Sequence, residues 1–237
     1  RRQPLFQASP EQVRLSVFSG FLQFVAVACL MAALSMMSGP LVIITLFLFP
    51  LLLFFYLIAK GEARFSGAIL ALSLSALVGL GLVLNIFDPA TQISFWGVGL
   101  SLVAAVASAM RMYFYERQIK KRGALLVGAE NFVVASVCSL ILLLWQAPHL
   151  PETLVGYGWM LGVTIGVVFG SAGMFFGLRF VDSFSWSLMA KMEPIFVAIY
   201  SAVLLKEILS VSQYLGIALV LVSLVAYQWF SSRKKLL

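Results

Sequence analysis

A chain of 237 residues that is 62% hydrophobic and only 11% charged has too few polar side chains to clothe a soluble domain of its size. Mean hydropathy is +1.04. The net charge of +7 sits in short loops between apolar runs, a pattern of membrane orientation that leaves no case for a nucleic-acid partner.

Apolar runs of eighteen residues or more recur along the chain, each able to cross a hydrocarbon core of roughly 30 Å as a helix. Alternation with a period of two is absent, which argues against an outer-membrane barrel. The fold class expected is therefore an all-α integral membrane protein, a polytopic helix bundle. Eight spans are predicted, at about 15–37, 40–59, 65–87, 94–115, 128–147, 155–180, 184–204 and 213–230. Turn residues mark several links: Ser38-Gly39-Pro40, Asp88-Pro89 and Pro148-His149-Leu150-Pro151. Cys29 and Cys138 both fall inside apolar runs and read as ordinary buried residues. The first residue is Arg and no signal peptide is visible, so the chain is expected to start partway through a longer protein.

With the N-terminus in the cytoplasm, fourteen of the sixteen basic residues fall on or near the inner side, the exceptions being Lys191 and Lys206. Both termini are then cytoplasmic. The stretch 191–228 has a weaker copy at 49–83: Pro50 answers Pro194 at an offset of 144, and Glu62 answers Glu207 at 145. The second and seventh spans cross in opposite directions, so the copies are inverted. Spans 1–3 match spans 6–8. Residues 1–88 are read as the last three spans of a first repeat, and 89–237 as a complete second repeat of five. Two equal repeats would need ten spans, two of them before Arg1.

In the second half Glu193-Pro194, Lys206-Glu207 and Gly216 follow in that order, and in the first half Pro50, Gly61-Glu62 and Gly67. In these features the chain resembles the drug/metabolite transporter superfamily, of the EamA type. In that superfamily each of two five-span inverted repeats has a Pro in its fourth span, then a link carrying Glu, then a fifth span with an early Gly. The resemblance implies a secondary transporter, usually an exporter, of small metabolites or toxic amphiphiles in a bacterial inner (plasma) membrane. It names no single substrate.

Lys191 and Glu193 are charges inside a span, where each costs roughly 2.5–3.5 kcal/mol, so each should face a cavity or a partner. Two residues apart, they lie about 200° around a helix and cannot pair with each other. Lys191 can instead be neutralised by a neighbouring span, or snorkel to the cytoplasmic face. Trp186 and Tyr200 stand seven residues either side of Glu193, within about 20° of the same face of a continuous helix. An acid between two aromatics suits an amphiphilic or cationic solute; an interfacial belt at Trp186 and helix packing at Tyr200 are the alternatives. Gln23, in mid-span, is a further candidate for hydrogen bonding to substrate.

Pro50 and Pro194 free the carbonyls of Leu46 and Ala190 and are read as hinges or gates. Glu62, Glu207 and Gly216 are read as structural, the acids capping the next helix or pairing with Arg64 or Lys206. Gly162, Gly166 and Gly170 form a ridge expected to pack within the bundle, with Gly97, Ser101 and Ala105 a second. Arg111, Glu130 and Asn131 are expected to snorkel or pair at the inner interface. The run 116–122 reads as a topology anchor and lipid contact.

These features point to a carrier working by alternating access between the two repeats. Its partners would be a small-molecule substrate, membrane lipids, and protons or another coupling ion; no cofactor and no metal are expected. A non-transporting remnant or assembly partner is the alternative. A membrane-embedded enzyme is disfavoured, because the single histidine, His149, lies in a loop and the carboxylates are scattered.

Overall fold

The computed structural model describes residues 10–86, 93–145, 150–204 and 210–235, and every regular element among them is a helix. They are α1 (Pro10–Leu34), α2 (Gly39–Leu46), α3 (Phe49–Ala59), α4 (Gly67–Val83), α5 (Phe95–Arg122), α6 (Ala124–Trp145), α7 (Leu154–Gly177), α8 (Ser183–Met189), a 3-10 turn (Ala190–Met192), α9 (Glu193–Leu204) and α10 (Val211–Lys235). Each of the eight predicted spans meets a helical counterpart, the second divided into α2 and α3 and the seventh into α8, the 3-10 turn and α9. Five segments among the described residues are long and apolar enough to cross a membrane: Pro10–Leu34, Gly39–Ala59, Phe95–Arg122, Ala124–Trp145 and Leu154–Gly177. Gly67–Val83 and Val211–Tyr227 are shorter apolar helices. The molecule is a polytopic helical membrane protein. The links at Asp88-Pro89, Pro148-His149 and Lys206-Glu207 lie outside the described residues.

The sequence explains where several helices stop and start. α3 ends at Gly61, whose φ of +71° suits a residue without a Cβ. The Gly61 N–H donates to the Ile58 carbonyl and the Glu62 N–H to Leu57, which satisfies two carbonyls at the helix end. α7 opens at Thr153, whose hydroxyl accepts from the Gly156 N–H at 3.1 Å. α5 runs on to Arg122, past the expected end of its span near residue 115. Glu, Arg, Gln and Lys are good helix formers, so the anchor run continues the helix.

The chain forms two compact units: residues Arg1–Val25 with Met110–Ser183, and Ala26–Ala109 with Phe184–Leu237. In the first unit the Tyr115 and Phe175 rings lie 4.9 Å apart, with Phe132 at 6.0 Å from Phe175. Gly128 leaves room for Phe175, since a Cβ there would stand 3.2 Å from its ring. Most of α7 is exposed. The expected packing of its glycine ridge does not occur: a Cβ on Gly162, Gly166 or Gly170 would meet nothing within 4 Å among the described residues. Small residues permit close contact but do not supply a partner.

In the second unit α4 and α10 pack antiparallel along their length. Ser75 and Ser223 share a hydrogen bond of 2.6 Å at one end, and Gln213 Nε2 donates to the Val83 carbonyl at 3.2 Å at the other. Between them the backbones touch: a Cβ on Gly216 would stand 2.6 Å from the Gly79 oxygen, and one on Gly79 would stand 2.9 Å from the Gly216 oxygen. The second small-residue ridge is used here. Ser101 and Ala105 are fully buried, and Gly97 lies against Met37 in a cluster with Ala33 and Val42.

Candidate functional site

Both proline-bearing spans break one step ahead of the proline. α2 ends at Leu46 and α3 begins Phe49-Pro50; α8 gives way to the 3-10 turn and α9 begins Glu193-Pro194. In each case the proline occupies the second position of the new helix, where a missing N–H does least harm. Pro50 and Pro194 are both buried.

The second break carries the charges. Lys191 sits in the 3-10 turn with 0% of its surface exposed, and its Nζ donates to the Ser73 carbonyl of α4 at 3.0 Å. No carboxylate pairs with it among the described residues, and the buried Ser73 hydroxyl beside it has no partner. Lys191 is therefore held by a neighbouring span and does not snorkel. Glu193 opens α9 and is exposed. It shares its face with Phe196, 52% exposed, and Tyr200, 62% exposed. The two charges point to different surroundings, as their spacing requires.

Trp186 lies across the 3-10 turn from that face. A 3-10 turn advances about 120° per residue against 100° for an α-helix. Three such residues rotate α8 by roughly 60° relative to α9. Trp186, half-buried, then lies about 40° from Glu193 around the helix, between Tyr200 at about 20° and Phe196 at about 60°.

Gln23 lies in the other unit, half-buried, where the Tyr115 hydroxyl donates to its Oε1 at 3.4 Å. Nearby residues form a polar network that spacing did not reveal. Arg122 grips Glu130 through Nη1–Oε2 at 2.7 Å and Nη2–Oε1 at 2.5 Å. Arg122 Nη1 also donates to Ser16 Oγ at 3.1 Å. The Ser16 hydroxyl, with one proton to give, faces Glu130 Oε2 at 2.5 Å and Gln118 Oε1 at 2.9 Å. Gln118 Nε2 donates to Ser19 Oγ at 3.1 Å, and Ser19 to Asn131 Oδ1 at 2.7 Å. Each of these groups has its partner, so the network fastens α1 to the α5–α6 junction and leaves nothing for a ligand.

Interfacial pairing thus holds for Glu130. It does not hold for Arg111, which has no acceptor among the described residues. Glu62 is exposed in the bend after α3, Gly216 is the close contact with α4 described above, and Glu207 lies outside the described residues.

A model of the EamA-like transporter family matches residues 95–227. A solved structure described only as "Crystal structure of protein" is similar to the chain with a TM-score of 0.77 at 16% identity, over 97% of this chain and 79% of that one. At that identity the likeness is one of fold. No curated protein matches the chain.

Proposed function

Because the chain belongs to the EamA-like transporter family, we propose that it is a secondary-active carrier which exports small amphiphilic or cationic solutes, with Glu193 as the carboxylate that meets them. The observation that carries this reading is the exposed row of Glu193, Phe196 and Tyr200 on a broken membrane helix. A carboxylate facing lipid at that depth would cost roughly 2.5–3.5 kcal/mol, so this face is assigned to an aqueous route. Two aromatic rings beside an acid attract an organic cation through charge and cation–π contact.

Alternating access between inverted repeats, 1–88 and 89–237, is the mechanism proposed. Two features support it: the matched breaks at Pro50 and Pro194, and the antiparallel seam of α4 and α10. Breaks of this kind leave backbone free to pivot. Lys191 anchors the second break on α4 and becomes a solute contact when that break moves. Protons or another ion drive the cycle. Both termini are placed in the cytoplasm of a bacterial inner membrane.

The test uses the full chain in proteoliposomes with ethidium as the probe cation. Glu193→Gln is expected to lower the transport rate at least about tenfold, as loss of a hydrogen-bonded charge does, while Glu193→Asp keeps part of it. Transport by Glu193→Gln at the rate of the parent protein would end this reading.

A further inference from the structure

Arg111 lies on α5 within a membrane-spanning helix, is half-buried, and has its Nε sealed from solvent. It makes neither hydrogen bond nor ion pair among the described residues. A guanidinium keeps its charge at every pH a cell meets and offers five donors and no acceptor. Left alone in a span, that is an expensive arrangement, and such a residue ordinarily marks a ligand or a partner.

The acids of its own unit are committed elsewhere or out of reach. Glu116, the one acid of α5, is held by Lys120 and by the Ser183 backbone N–H at 2.8 Å. Glu130, the one acid of α6, is gripped by Arg122 and Ser16. α7 has no acid. The acid of α1 is Glu11, twelve residues before Gln23 and so about 18 Å away along the helix.

What Arg111 does have beside it is a second set of donors. Tyr115, one turn later on the same face, is close enough to interact with it electrostatically. Tyr115 is fully buried against Phe175, and its hydroxyl faces Gln23 Oε1. With its oxygen turned to Tyr115, Gln23 presents its NH2 end, which has no acceptor among the described residues. Guanidinium and carboxamide donors around one tyrosine, with no acceptor for them among the described residues, are what a planar oxyanion requires.

We propose that Arg111 and Gln23 form a binding site for an oxyanion, the carboxylate or phosphate of a solute or of a lipid headgroup, with Tyr115 as the residue that positions both. The site is independent of the Glu193 reading, because it is tested by equilibrium binding without transport.

The experiment is titration calorimetry on the full chain in nanodiscs of phosphatidylcholine, with benzoate and inorganic phosphate as probes, and a parallel thermal-unfolding series with increasing phosphatidylglycerol. Saturable binding of either probe identifies a soluble ligand. A rise in unfolding temperature confined to phosphatidylglycerol identifies a lipid phosphate. In either case Arg111→Gln is expected to weaken the response at least about tenfold and Gln23→Ala several-fold. Arg111→Lys, which keeps charge but loses the fork, should fall between. In the benzoate and phosphate titrations Lys120→Ala, which removes a neighbouring surface charge, should change nothing. If Arg111→Gln fails to fold, Gln23→Ala and Arg111→Lys decide. The proposal is overturned if none of the three anions gives a response, or if the foldable variants respond as the parent does.

Discussion

Lys191 shows how a buried charge is carried with no counter-ion among the described residues. Its ammonium is shielded from lipid by α4 and receives one carbonyl, that of Ser73. Burial of a cation on one neutral acceptor leaves most of its desolvation cost unrecovered. Lys191→Met, similar in length and apolar, is therefore expected to leave the unfolding temperature in detergent unchanged or higher, while transport falls if the residue meets solute. A marked drop in stability would show that the Ser73 contact holds the helix break together. Arg122 and Glu130 are the opposite case. Their side chains are 6% and 27% exposed and joined by two hydrogen bonds. Arg122→Ala leaves Glu130 half of a pair, and a loss of about 1–3 kcal/mol is expected, discounted for the exposed side of the carboxylate. The double variant Arg122→Met with Glu130→Leu should recover most of it, and a measured double-mutant cycle checks that coupling.

Among the elements, α7 and α10 both carry glycines, but only one of them uses them for packing. At Gly216 a Cβ would stand 2.6 Å from the Gly79 oxygen and 2.8 Å from the Val83 nitrogen. Both atoms are backbone, so neither can rotate away. Gly216→Ala is expected to cost about 1–3 kcal/mol by forcing α4 and α10 apart. At Gly166 the same methyl meets open space, and Gly166→Ala should be neutral or gain up to about 1 kcal/mol from helix propensity. Thermal unfolding of the two variants in one detergent compares them directly. A loss at Gly166 as large as that at Gly216 would mean that the ridge is covered by a partner. The 3-10 turn at Ala190–Met192 shows how much a short irregular element can change. It turns Trp186 by roughly 60° about the helix, from one side of Glu193 to the side that carries Tyr200 and Phe196.

For the whole molecule the distribution of basic residues makes a prediction about orientation. Lys120 and Glu152 are both exposed and lie on opposite sides of the span formed by α6. With Cys29 and Cys138 replaced by Ser, Lys120→Cys should react with a membrane-impermeant maleimide only in inverted vesicles. Glu152→Cys should react in intact cells. The reverse result would invert the topology, and the cytoplasmic placement of both termini with it.

Class of molecule, the order of the helical segments and the family are legible in the amino-acid sequence alone. The requirement that each span be apolar over a bilayer's thickness is written residue by residue along the chain. The family match over 95–227 takes in Glu193-Pro194 and Gly216, markers that need no knowledge of neighbours. The sequence also foresaw that Lys191 and Glu193 could not pair, since that follows from helical angle alone. Which residues meet across helices is visible only once the helices are packed. Ser73 as the acceptor for Lys191, Gly79 opposite Gly216, and Ser16 beside Arg122 and Glu130 are separated in sequence by 118, 137 and more than 100 positions. In a membrane protein nearly every candidate face is apolar, so periodicity does not say which face a neighbour covers. That is also why the glycine ridge of α7 and Arg111 look ordinary in the sequence: their character lies in what the described residues leave open around them, which only the packed structure shows.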